Sequence, residues 1–196
     1  SQIDFDALKS HFDNGKKRTE AEKLRRLLSC KVAEMCALNR TRIDYYEELE
    51  EMIEDYNSGA ANVEECFRRL TEFAQKLNEE DKRGLAEGLS EEELVIFDLL
   101  TKPEMALSEK ERQQVKLVAR ELLEKLKYDK LVLDWKKRLQ TRAAVEVAIK
   151  DTLDQLPRIF TPELYRQKCD SIYQHVYDSY YGQGRSIYAA SAATAY

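Results

Sequence analysis

Four helix-start signals punctuate this chain, and they constrain its fold more than any other feature. Asn62 stands three residues before Glu65, Ser90 three before Glu93, and Ser108 three before Glu111, while Thr161 is followed by Pro162. In the first three, a short polar side chain accepts a hydrogen bond from a backbone N–H one turn on, and the acid reaches back. In the fourth, proline occupies a position where a helix leaves its N–H unpaired anyway. Thr41 reads as a further cap, and Asn14-Gly15 and Asn57-Ser58-Gly59 read as stops. Only three prolines and six glycines occur in 196 residues, so little interrupts a helix between these marks.

The apolar residues between the marks recur at three- and four-residue steps, which puts them on one face of a helix. Leu24, Leu27, Leu28 and Met35 share a side of a helix expected over 19–38. Val115, Val118, Ala119, Leu122 and Leu126 do the same over 108–127, and Tyr165, Cys169, Ile172, Tyr173, Val176 and Tyr180 near the end. No stretch alternates apolar and polar residues as a half-buried strand does. The expected fold is all-α, a multi-helix bundle of about seven to eight helices with no sheet. A boundary is expected near Lys82–Leu89, where charge and two glycines break the pattern. Residues 1–83 then form a helical extension and 89–184 a compact helical unit; one continuous bundle is the alternative. Residues 185–196 are small and low in complexity and are expected to be a weakly ordered tail.

The segment Asp134–Pro157 contains the only tryptophan and ends on a proline. Trp135, Leu139, Val145, Ile149, Leu153 and Leu156 form one stripe if the segment is a single helix. Trp135 is read as a core anchor rather than a base-stacking platform. Arg142 and Glu146 fall within the stripe, one turn apart. A guanidinium on an apolar face needs a partner, and an internal ion pair between these two is expected.

Net charge is −5, but the average hides an asymmetry. From Asp44 to Leu94 there are 17 acidic and 5 basic residues; from Lys110 to Arg142 there are 11 basic and 5 acidic. A weakly acidic chain with a basic middle still presents a local anion-binding surface. Arg112, Lys116 and Arg120, each about one turn apart, are expected to form a basic ridge about 12 Å long. Lys130, Lys136 and Lys137 form a second group with Arg142, and Lys16, Lys17, Arg18, Lys23, Arg25 and Arg26 a third. Clustered cations favour a phosphate backbone of any sequence.

Catalytic signatures are missing. There is no phosphate-cradling glycine loop with Lys-Ser/Thr, and no carboxylate cluster spaced for magnesium. Ser171, His175 and Asp170 lie close in sequence, but nothing beside them suggests an oxyanion hole. Glu47, Glu50, Glu51 and Glu54 read as a solvated helix face, not a cation site. Cys30, Cys36, Cys66 and Cys169 form no C-x-x-C pair, which argues against zinc and for reduced thiols. No catalytic or metal-binding residue is expected. There is no signal peptide and no long apolar run, so a cytoplasmic, non-membrane protein is expected. The chain begins without methionine and reads as a piece of a longer protein.

Several strings, in order, carry a family resemblance. They are IDFDALKSHFDNGKKRTEAEKLRRLL (3–28), LNRTRIDYYEELEEMIEDYNSG (38–59), EGLSEEELVIFDLL (87–100), DWKKRLQTRAAVEVAIKDTLDQLP (134–157) and YQHVYDSYYG (173–182). Together they resemble the C-terminal helical domain of the motor (restriction) subunit of type I restriction-modification enzymes. The resemblance implies a bacterial or archaeal parent several times longer, which translocates and cuts DNA with ATP and magnesium bound elsewhere in its chain. It implies no catalytic residue and no cofactor in the present segment. The implied partners are the methyltransferase and specificity subunits of the complex and the backbone of duplex DNA. A bundle that completes the motor subunit without touching DNA is the alternative.

Overall fold

The computed structural model describes residues 5–103 and 105–189. Eight α-helices occur among them: α1 (Phe5–Asn14), α2 (Lys17–Leu38), α3 (Ile43–Asn57), α4 (Val63–Glu87), α5 (Glu91–Thr101), α6 (Glu109–Lys125), α7 (Leu139–Leu153) and α8 (Pro162–Ser179). A small antiparallel hairpin, β1 (Tyr180–Gly182) and β2 (Arg185–Ser186), follows α8. Among the described residues the chain is all-α apart from this hairpin, which corrects the expectation of no sheet. It divides into two compact units, one up to Gly88 and one from Leu89.

The helix starts follow the caps. Ser90 and Ser108 each accept from the backbone N–H of the glutamate three residues on, and that glutamate bonds back to the serine N–H. Asn62 Oδ1 accepts from Glu65 N at 2.8 Å, and Thr161 Oγ1 from Leu164 N at 3.3 Å. Thr41 is not the cap of α3. Asn39, fully buried, accepts from both Thr41 N (3.1 Å) and Thr41 Oγ1 (2.8 Å), and winds a 3₁₀ turn over Arg40–Arg42 before α3. Asparagine competes well for nearby backbone donors, so it caps the 3₁₀ turn, and α3 follows from Arg42 with no side-chain cap of its own. Helix α4 runs through Gly84 and ends at Gly88, whose φ of +67° gives the left-handed stop.

In the first unit, α2 and α3 pack on α4. Leu24, Leu28, Val32, Leu49, Leu70 and Phe73 are buried between them. Leu27, expected in the same stripe, is exposed. Helix α1 adds Phe12, whose ring stacks on Phe67 with centroids 3.8 Å apart. One ion cluster is buried in this unit. Arg42 Nε donates to Glu80 Oε1 at 2.8 Å, and Arg83 donates to both Glu80 oxygens at 2.8 and 2.9 Å. Arg42 and Glu80 are both almost fully buried, so each depends on the other to offset its lost hydration.

In the second unit, α5 packs against α6 and α8, and α7 against α6 and α8. Leu94, Val95, Ile96, Phe97 and Leu100 of α5 are all buried, so this helix is apolar nearly all round and forms the centre of its unit. After Gly184, Arg185 and Ser186 pair with β1, and Tyr188 is buried. Residues 190–196 of the expected tail lie outside the described residues.

Replacing Glu80 by alanine leaves Arg42 charged and buried without its carboxylate. The expected loss is about 3–5 kcal/mol, read from urea unfolding followed by circular dichroism. A loss below about 1 kcal/mol would show that the cluster behaves as a solvated surface pair.

Candidate nucleic-acid interface

The basic residues of the second unit centre on the connection from α6 to α7. A π-helical turn over Leu126–Lys130 ends α6, and irregular turns carry the chain to Leu139. Trp135 is fully buried within these turns, as expected of a core anchor. Its indole Nε1 donates to Tyr180 O at 3.2 Å, and Gln183 N donates to Leu131 O at 2.9 Å. Gly182 lies directly against Val132 O, and its φ is +92°; a β-carbon there would collide with that carbonyl. The hairpin and the connection are thereby stitched together.

Helix α7 begins at Leu139, not at Trp135, which corrects two expectations. Leu139 is 75% exposed, because turns between 133 and 137 break the helical phase that linked it to Trp135. Arg142 and Glu146 do not form the expected ion pair among the described residues. Arg142 is half-buried, and its Nη1 donates to Lys136 O at 3.2 Å, while Glu146 is exposed. The turns leave a carbonyl within the arginine's reach, and this bond meets part of the need assigned to the acid. Val145, Ile149 and Leu153 of the same stripe are buried.

The six candidate phosphate contacts fall into two environments. Arg112, Lys116 and Arg120 do not form a uniformly open ridge: Arg112 lies against α5, Lys116 is buried, and Arg120 is exposed at the edge of α5. The Arg112 guanidinium lies 5.0 Å from the Phe97 ring centre, Arg120 Nε lies 4.0 Å from Glu93 Oε1, and Lys116 is only 7% exposed. The face of Phe97 attracts the Arg112 cation, and the Glu93 carboxylate at the start of α5 attracts Arg120. Lys130, Lys136 and Lys137 lie in the α6–α7 connection. Lys137 is open to solvent and pairs with Asp134 at 3.0 Å, and Lys130 is half-buried. Lys136 is held among three aromatic rings, its Nζ 4.7 Å from the centre of Tyr181, 5.1 Å from Tyr177 and 5.8 Å from Trp135. Burial pushes its ammonium below the usual lysine value, and Asp178 opposes that shift. In the N-terminal group, Lys17, Lys23, Arg25 and Arg26 pair with Glu64, Glu20 or Glu22.

Sequence reasoning missed the polar links that hold this unit, because their partners are distant in the chain. Lys168 is buried and donates to the carbonyls of Leu99 (2.8 Å) and Lys102 (2.5 Å), so a cation meets the negative end of α5. Desolvation lowers its pKa. Tyr180 donates its hydroxyl to Glu92 Oε2 at 2.8 Å, and Lys127 donates to both Glu92 oxygens. The buried His175 ring lies against Ser179 Oγ and Tyr188 Oη, 3.4 and 3.2 Å away. All four cysteines are free thiols. Among the described residues no group of three or more His, Cys, Asp or Glu side chains is placed to hold a metal ion. Among them, too, no helix is long and apolar enough to cross a membrane.

Residues 1–179 match the family described as type I restriction enzyme HindI endonuclease subunit-like, C-terminal, and the chain belongs to that family. It is also 29% identical over 107 residues to a putative type I restriction enzyme MjaIXP endonuclease subunit of Methanocaldococcus jannaschii. That alignment covers 54% of this chain and 10% of the relative, so the matched stretch spans about a tenth of the relative's length. No solved structure matches the chain.

Burial and the Glu92 carboxylate both push the Tyr180 hydroxyl far above its ordinary value near 10. A raised folded-state value contributes stability that is present below pH 10 and lost as pH rises, because the unfolded tyrosine ionises first. Tyr180→Phe is therefore expected to reduce the alkaline loss of stability above that pH in urea titrations. At neutral pH it is expected to cost about 1.5–3 kcal/mol, the worth of a hydrogen bond to a charged acceptor. An alkaline limb identical to wild type would place Tyr180 in solvent.

Proposed function

We propose that this is a non-catalytic C-terminal domain of a type I restriction motor subunit, and that it helps seat the subunit on the methyltransferase core and contacts duplex DNA regardless of sequence. The observation that carries the DNA contact is the α6–α7 connection, where Lys130, Lys136, Lys137 and Arg138 lie within nine residues, and Lys137 and Arg138 face solvent. Exposed, closely spaced cations release counterions when they meet phosphates, whatever the bases. The acid-rich first unit, with Glu47, Glu50, Glu51 and Glu54 outward, repels DNA and suits a basic protein surface of the complex. ATP binding, magnesium binding and strand cleavage belong to other parts of the parent chain in this reading. The matched family supports the parent's identity as an endonuclease subunit.

A second reading, a bundle that completes the motor subunit without touching DNA, is favoured by the burial of Lys116 and the contact of Arg112 with Phe97, which take two of the three α6 candidates from the open surface. A salt titration separates the two. In the intact subunit, Lys130→Glu with Lys137→Glu is expected to flatten the slope of log K against log salt by roughly 0.9 for each phosphate that is no longer neutralised, for all sequences alike. Identical slopes would favour the second reading. The 196-residue chain alone is also expected neither to hydrolyse ATP nor to nick plasmid DNA with magnesium present. Turnover that persists through further purification would overturn the non-catalytic assignment.

A further inference from the structure

We propose that Tyr177, Tyr181 and Lys136 form a surface that binds the unpaired bases of single-stranded DNA, a refinement that rests on the DNA-contact reading above. Tyr181 is 49% exposed and Tyr177 36%, while the Trp135 ring beneath them is buried. Tyr173 extends the row along α8, its ring 6.2 Å from that of Tyr177. Among the described residues, the hydroxyls of Tyr177 and Tyr181 make no hydrogen bond. Tyr180, Tyr188 and Tyr165 do, through Glu92, His175 and Asp154. The hydroxyls of the second set are committed to holding the fold; those of the first are not.

The cluster is preformed. Tyr173 and Tyr177 are one turn apart on α8, Tyr181 follows in β1, and Lys136 comes from the connection stitched to that hairpin by the Trp135 and Gln183 hydrogen bonds. Ring faces surround the Lys136 ammonium, but no carboxylate of the described residues lies within ion-pair distance of it. Ring quadrupoles attract a cation without neutralising it, so the positive charge remains. A nucleotide offers a planar base and, one linkage away, an anionic phosphate; the cluster offers exposed rings and an ammonium about 5 Å from them. In a duplex the base faces are already stacked on each other, so exposed tyrosines gain little there. On a single strand they gain with every base, because every base has a π-face. Lys130 and Arg138 in the same connection add charge that favours a polyanion over an acidic peptide of few charges.

The test is anisotropy titration of the 196-residue chain with labelled oligothymidine and with a labelled duplex of equal length. The fluorescence of Trp135, the sole tryptophan, serves as a reporter at the site. Tyr177→Ala with Tyr181→Ala is expected to weaken single-strand binding about tenfold or more and to leave duplex binding within about twofold. Tyr177→Phe with Tyr181→Phe keeps the rings and is expected to bind like wild type. Circular dichroism identifies a variant that fails to fold, and Tyr181→Ala alone then carries the test: single-strand affinity about fivefold weaker with duplex binding kept supports the proposal, and unchanged single-strand affinity overturns it. Unchanged single-strand affinity in the folded alanine pair overturns the proposal, as does equal weakening toward both DNAs. So does a loss of association with the methyltransferase core while DNA binding stays intact, which assigns the surface to a protein. A normal salt slope for duplex, with no tyrosine effect, sinks this proposal alone; loss of the charge-reversal effect sinks the DNA-contact reading beneath it.

Discussion

Burial of the Trp135 indole is the constraint on which the rest of the second unit depends. Its ring fills space that no other residue of the connection fills, and its N–H must find an acceptor once water is excluded. It finds the carbonyl of Tyr180, at the point where α8 passes into the hairpin. That bond fixes where α8 ends relative to the start of α7. Thr141 then donates its hydroxyl to Trp135 O at 2.6 Å, and Arg142 to Lys136 O, so the first turn of α7 closes over the same loop. The Tyr177 ring meets the indole edge to face at 5.9 Å. Lys136 follows Trp135 in the chain, so its ammonium is delivered among the tyrosines as a consequence of seating the tryptophan.

The first unit solves a different problem. Its helices carry most of the acid, and a highly charged bundle gains only modest stability from surface pairs such as Lys17–Glu64 or Arg68–Glu72. Its stability rests on the apolar contacts of α2, α3 and α4 and on the buried Arg42–Glu80–Arg83 cluster. Burying that cluster carries a desolvation cost, but it ties the turn before α3 to the last third of α4 and allows one register between them. The outward acids of α3 take no part in this arrangement, which leaves them free to set the electrostatic character of the surface.

Helix starts were legible because a cap is a local device: Ser90, Ser108, Asn62 and Thr161 act on backbone groups within three residues. The buried faces of α6 and α8 were legible because periodicity within one helix decides them. The reading failed where the chain leaves regular geometry. The wheel that joined Trp135 to Leu139 assumed a helix across turns that include Asp134 at φ +56°. The Arg142–Glu146 pair assumed that an arginine must find its nearest acid, when a carbonyl exposed by those turns lay closer to hand. The cap expected at Thr41 falls instead on Asn39, two residues earlier, and closes the turn before α3. Nothing local marks Lys168 as the partner of carbonyls 66 and 69 residues away, nor Lys136 as the occupant of an aromatic enclosure.

Charge counting along a sequence measures how many cations a segment holds, and folding decides which of them stay available. The basic balance from Lys110 to Arg142 divides into two kinds of residue. Arg112 and Arg120 of α6 lie against α5, whose first turn is Glu91-Glu92-Glu93, an arrangement that stabilises α5 at its positive end and attracts Arg120 at the same time. That attraction is a stability device and offsets part of that charge at the surface. In the α6–α7 connection Lys127 is likewise held by Glu92 of α5, whereas Lys137 and Arg138 are exposed and face only the Asp134 beside Lys137, and Lys136 feels the more distant Asp178. In the proposed DNA-contact reading, the phosphate contacts therefore fall at the irregular connection and the adjoining hairpin. There, exposed tyrosines accompany the charge and make the surface suited to something both anionic and planar.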